Sequence, residues 1–114
     1  KSEKEKNNLN IKEKNTEIET LKITVRDITA KDIEDRKLKK DLKGVVITNI
    51  SNRSAISGML RKGDIIIEVQ KNKVLSSKQL NQLIESIYKK GEQTLLLTII
   101  NKDNQRRYLG VKTN

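Results

Sequence analysis

The spacing of apolar and polar residues changes several times along this 114-residue chain, and each change marks an expected element. The first eighteen positions carry only Leu9, Ile11 and Ile18, isolated among charges and asparagines. So little apolar surface does not offset ~1–2 kcal/mol of backbone entropy per ordered residue, so residues 1–19 are expected to form a disordered leader or linker. Order is expected from Thr20, where Leu21, Ile23 and Val25 alternate with Lys22, Thr24 and Arg26, the period of a half-exposed strand. Thr29 stands where it can cap a short helix over 30–38, with Asp32 near the positive end and Ile33 and Leu38 facing inward. A basic loop at 39–43 leads to β-branched strands at 44–50 and 64–70, separated by a small-residue segment at 54–59.

Ser76 or Ser77 then caps the most regular helix, expected over 78–90. Leu80, Leu83, Ile84 and Ile87 fall at i, i+3, i+4 and i+7, a single apolar stripe. Lys89 and Lys90 suit the negative end of the helix dipole, and Gly91 can supply a left-handed stop. Two last strands, 94–100 and 106–112, flank an Asn-Lys-Asp-Asn hairpin turn. Residues 95–100 are apolar nearly throughout, as in a strand buried on both faces.

Composition narrows what such a domain can do. Phe and Trp are absent, so the core must be built from Ile, Leu and Val. No apolar run approaches the ~20 residues of a membrane span, and no signal peptide is visible ahead of Lys1, so a fragment of a larger protein is expected. Without His or Cys, neither a Ser-His-Asp nor a Cys-His arrangement can be assembled, and thiolate metal sites and disulfides are excluded. Ser57, Ser76 and Ser77 sit in no nucleophile elbow, and Asp27, Asp32 and Asp35 read as helix-end charges rather than metal ligands. The chain is therefore expected to be no enzyme by itself, with no metal and no cofactor.

The net charge of +10 belongs to the folded part. Residues 1–20 hold five lysines and five glutamates, whereas the remainder carries the entire excess. A basic surface attracts phosphate backbones, anionic lipid or acidic peptides, although a bias toward Lys, Asn and Ile also accounts for it. Nucleic-acid binding is thus the alternative function, resting on Lys37, Lys39, Lys40, Lys43, Arg61, Lys62, Lys71, Lys73, Arg106 and Arg107. Against it, Tyr88 and Tyr108 are too few for base-stacking platforms, and no nucleic-acid motif appears.

Residues 44–74, GVVITNISNRSAISGMLRKGDIIIEVQKNKV, order a strand, a short helical turn, Gly63-Asp64 and a second strand. Together with the preceding LKITVRDIT at 21–29, this block resembles the second, C-terminal PDZ domain of Do/HtrA-type bacterial serine proteases. The resemblance covers about residues 20–112. It implies an α+β, mainly β fold: a small barrel-like sheet of five to six strands, one long helix and one or two short ones, over 20–114. It also implies a periplasmic location and a parent serine endopeptidase whose chemistry lies in another domain. Expected partners are peptide C-termini, unfolded protein segments, and other domains or subunits of the parent.

In such a module a peptide adds as an extra strand to a sheet edge facing the long helix. Carried over by resemblance, the receiving edge is Leu21, Lys22, Ile23, Thr24 and Val25, with Ile23 and Val25 on the pocket floor. The opposite wall comprises Gln79, Leu80, Leu83 and Ile87. Because the same helix must also close the core, Leu80, Ile84 and Ile87 are expected mainly inside and Leu83 toward the groove. Lys22 departs from the family, which tends to carry glycine between two apolar residues where a terminal carboxylate is received. Gln70-Lys71 likewise replaces an Asn-Gly turn, and a proline usual in the small-residue segment is missing. Gly63-Asp64 reads as architecture: a positive φ followed by a carboxylate that accepts turn N–H bonds.

Overall fold

The computed structural model describes residues 15–54, 56–91 and 94–112. Nine elements follow one another: β1 (Asn15–Ile18), β2 (Ile23–Asp27), α1 (Ala30–Arg36), β3 (Val45–Ile50), β4 (Ile65–Val69), β5 (Asn72–Lys73), α2 (Ser77–Lys89), β6 (Thr94–Ile100) and β7 (Arg106–Lys112). They form one open antiparallel sheet in the order β1-β2-β3-β4-β6-β7, with β5 paired to β4. The mainly β, α+β architecture agrees with the sequence. The sheet has seven strands rather than five or six, because β5 adds a two-residue hairpin arm and β1 adds an edge.

The expected leader divides in two. Residues 1–14 lie outside the described residues, while 15–18 pair with β2 along their whole length. Described order thus begins at Asn15 rather than near Thr20. Ile18 looked isolated in sequence, but its side chain is fully buried in the main core. Its partners come from β2 and from elements much later in the chain, so no local pattern announces it.

That core gathers the inward alternation of the strands, with Ile23, Val25, Val45, Ile47, Ile66, Val69, Leu95 and Leu97, against Leu80, Ile84 and Ile87 of α2. A smaller cluster on the other face joins Val46, Ile65 and Ile67 to the partly buried Ile28, Leu38 and Leu42. β6 lies between β4 and β7 and buries Leu95, Leu97, Thr98 and Ile99, as its apolar run indicated.

Caps set the helix limits. Thr29 and Asp32 form a reciprocal capping box at α1, and Asp32 also receives the Arg26 guanidinium through both oxygens, at 2.7 and 3.0 Å. The Arg26 bonds, reinforced by those from Thr29 and opposed by partial burial, hold the Asp32 carboxyl down at about 2. α1 stops before residue 38 because Lys37 turns left-handed (φ 57°), with its N–H on the Glu34 carbonyl. No α1 side chain is fully buried; Ile33 is half-covered, and Leu38, beyond the helix, packs on the smaller cluster. Ser76 caps α2 by accepting the Gln79 N–H, and Gly91 (φ 81°) follows its end.

Turn chemistry departs from the usual residues without changing the shapes. Gln70 and Lys71 both take positive φ (52° and 69°), the form an Asn-Gly hairpin would adopt. The Gln70 carboxamide offsets part of the strain by accepting the Leu96 N–H at 2.7 Å. The Asp64 carboxylate accepts the Arg61 N–H at 2.9 Å beside Gly63 at φ 95°, the scaffold role read from sequence. Residues 56–60 form a hydrogen-bonded turn. Among the described residues no helix is long and apolar enough to cross a membrane.

Candidate functional site

β2 and α2 pack on the same core, and their relative position is pinned at one end. The Asp27 carboxylate, at the end of β2, accepts the backbone N–H of Ser77, the first residue of α2, at 2.6 Å. Between these elements Leu21, Ile23 and Val25 are buried in the same cluster as Leu80, Ile84 and Ile87. On α2, Leu80 and Ile84 are fully inside, Ile87 nearly so, and Leu83 half-exposed. Lys22 is exposed and Thr24 half-buried, its carbonyl accepting the Thr48 hydroxyl at 3.1 Å. The Gln79 side-chain oxygen accepts the Leu75 N–H.

The sequence reading left the β2 edge open. Instead β1 covers it, pairing Asn15 with Arg26, Thr16 with Val25, Glu17 with Thr24 and Ile18 with Ile23. Ile18 shares the buried cluster with the expected pocket floor, Ile23 and Val25. On the other side, the Thr16 hydroxyl shares a 3.0 Å hydrogen bond with the Ser77 hydroxyl of α2. Ile18, Thr16 and Ser77 therefore belong to the site although none was picked from sequence. The available signal was weak: Thr16 and Ile18 alternate in phase with a strand, but no Gly or Asn marks the four-residue turn that follows.

Lys22 explains why that turn gave no signal. It takes φ 58°, the left-handed conformation for which glycine was expected, at a cost of ~1 kcal/mol or more. The backbone N–H groups of Leu21 and Lys22 both reach the Ile18 carbonyl, at 3.1 and 2.7 Å. An oxygen is thus received at the loop where a terminal carboxylate was expected, but it belongs to the chain itself. The loop is held from behind by the Ser54 hydroxyl on the Leu21 carbonyl and by the Ser51 N–H on the Lys22 carbonyl.

Outside β1 and β2, Glu17, Glu19, Lys22, Thr24, Asn49, Ser51 and Arg53 line a shallow hollow of about 380 Å³. Its mixed charges suit polar contacts with a chain running past the loop. The larger hollow of about 540 Å³ lies near Asp64, Asn101 and Arg107, where Asp64 and Asn101 are engaged in turn bonds. Among the described residues no group of three His, Cys, Asp or Glu side chains is placed to hold a metal ion.

No protein-family model and no curated protein matches the chain. Among solved structures it is similar to the crystal structure of the HtrA3 PDZ domain bound to a phage-derived ligand (FGRWV). The TM-score is 0.60 at 20% identity, over 88% of this chain and 83% of that one. The chain thus has a PDZ-like fold.

Proposed function

We propose that residues 20–114 form a non-catalytic peptide-binding or assembly module that takes up extended segments by strand addition between β2 and α2. The observation that carries this reading is that the β2 edge pairs with an added strand, four residues long, supplied by the chain itself. Backbone pairing gives affinity that is indifferent to sequence, while the apolar floor of Ile23 and Val25 selects an aliphatic side chain. The solved HtrA3 PDZ domain, which binds a phage-derived peptide, supports the same use of the fold. From the sequence resemblance we place the module in a periplasmic HtrA-type serine protease, recognising peptide C-termini, unfolded segments or neighbouring subunits. The test is titration of hydrophobic C-terminal peptides while following amide shifts, which are expected to cluster on residues 21–25 and 78–87. A saturating titration that leaves those amides unmoved sinks the groove assignment.

Lys37, Lys39 and Arg106 border one further hollow, so part of the basic excess is gathered on the side away from α2. That placement favours nucleic acid as the second reading. It requires retention on DNA that falls steeply with salt; absence of retention at low salt removes it.

A further inference from the structure

Resting on the strand-addition reading above, we propose that residues 15–18 are a tethered ligand that holds the β2–α2 groove shut until a free segment displaces them. β1 does what an incoming peptide would do. It runs antiparallel to β2 with all four residues paired, and its last residue ends at the Leu21–Lys22 loop. Ile18 fills the apolar floor, its carbonyl takes the loop N–H groups, and Thr16 reaches across to Ser77 on the helix. Every class of contact offered by the groove is therefore already in use.

The attachment is also slight enough to be reversible. Ile18 is the one fully buried side chain of β1, while Asn15 and Glu17 are exposed and Thr16 half-exposed. β1 is an edge strand with a single strand neighbour, so its departure breaks no other pairing in the sheet. The tether of four residues, 19–22, keeps β1 at an effective concentration on the order of millimolar, so a free peptide competes at a disadvantage. Affinity measured on the intact chain is reduced by the fraction of molecules in which the groove is open; a groove closed nine times in ten masks about tenfold. A displacing segment needs the same chemistry: an extended backbone, a branched aliphatic side chain for the pocket of Ile18, and a hydroxyl two residues earlier for Ser77.

The experiment uses the full 114-residue chain, its Ile18→Asp variant, and the free peptide IKEKNTEI, which copies residues 11–18 and ends in a carboxylate. The aspartate disfavours insertion of β1 without touching β2 or α2. Its chain, if its amide spectrum remains dispersed, is expected to bind the peptide at least about tenfold more tightly than the parent. In the parent, excess peptide is expected to move the amides of 15–18 to unstructured positions while those of 21–25 remain in a paired environment. Amide exchange of peptide-free parent is expected to be far faster in β1 than at Val45–Ile47. Should Ile18→Asp unfold, Thr16→Val replaces it, removing only the hydroxyl contact, with a severalfold gain in affinity expected. Equal affinity of parent and variant, or β1 amides as slow as those of β3, overturns the tethered ligand while leaving strand addition standing. Failure of both chains to bind any peptide, with β1 still opening early, overturns the strand-addition reading instead and the tethered-ligand role with it.

Discussion

β1 and β6 are both strands that bury aliphatic side chains in the same core, yet their attachments differ in kind. β6 is paired with β7 over its whole length and with β4 over Leu97–Ile100, and places Leu95, Leu97, Thr98 and Ile99 in the interior. β1 is paired on one side over four residues and contributes Ile18. Burying one isoleucine yields about 1.5–3 kcal/mol. Its few ladder and turn hydrogen bonds add about 0.5–1.5 kcal/mol each. Ordering four residues costs ~4–8 kcal/mol, so these contributions roughly cancel for β1. A residue can thus be wholly buried and still belong to an element that leaves the fold at little cost. Burial alone does not distinguish scaffold from ligand.

The sharpest test of that contrast is a pair of truncations. Leu97→Ala, in the middle of β6, is expected to lower stability by about 3 kcal/mol, because the surrounding strands cannot collapse onto the cavity. Ile18→Ala removes an equally buried side chain but is expected to cost no more than about 2 kcal/mol. The loss is capped at the free energy with which β1 is docked, since beyond it the strand detaches. Denaturant midpoints at unchanged m-value measure both; equal losses would make β1 part of the scaffold.

Gly44 extends the comparison to the backbone. It enters β3 at φ 153°, and a Cβ there would stand 2.7 Å from the Ile66 carbonyl oxygen. Gly44→Ala is expected to cost about 2 kcal/mol, from strain at the join between β3 and β4. Lys22→Gly, at the β1 turn, should have the opposite sign, gaining a few tenths to about 1 kcal/mol by relieving the left-handed lysine. Thermal unfolding of the two variants side by side tests whether strain is structural in one place and tolerated in the other.

An effect of comparable size to that of Lys22→Gly is expected at α1, which belongs to neither strand. The Asp32 carboxyl falls from 3.8 to about 2 in the folded chain, chiefly through Arg26, so its contribution is present above about pH 4 and disappears as pH falls toward 2. Allowing for solvent screening, Asp32→Asn is expected to cost about 1 kcal/mol near neutrality and to flatten the stability profile between about pH 4 and pH 2. An unchanged acid limb in the variant would show that the Arg26 pair contributes nothing measurable.

Much of the fold was legible because its signals are local. The Leu80-Leu83-Ile84-Ile87 stripe, the Ser76 cap, the Gly63-Asp64 turn and the apolar run of β6 each depend on neighbours within a few residues, and each appears where expected. Misjudged positions depended on distant ones. Ile33 looked inward on a short helix, but with no α1 residue fully buried it is only half-covered. Ile18 looked isolated among polar residues, but its buried neighbours lie on β2 and α2. At Lys22 the structure displays a left-handed backbone, where the sequence drew notice to its charge.

By itself the sequence determined β2, α1, β3, β4, α2, β6 and β7 and their order, since hydrophobic period, caps and turn residues act over a few positions; the family resemblance added β2 and α2 as the expected walls of a site. Only the tertiary structure decided that the space between those walls is filled, and by what. Ile18 carries no information about its burial until β2 and a helix some sixty residues later converge on it. Strand pairing satisfies backbone groups that every residue possesses, so the choice of partner for the β2 edge left almost no trace in side-chain composition.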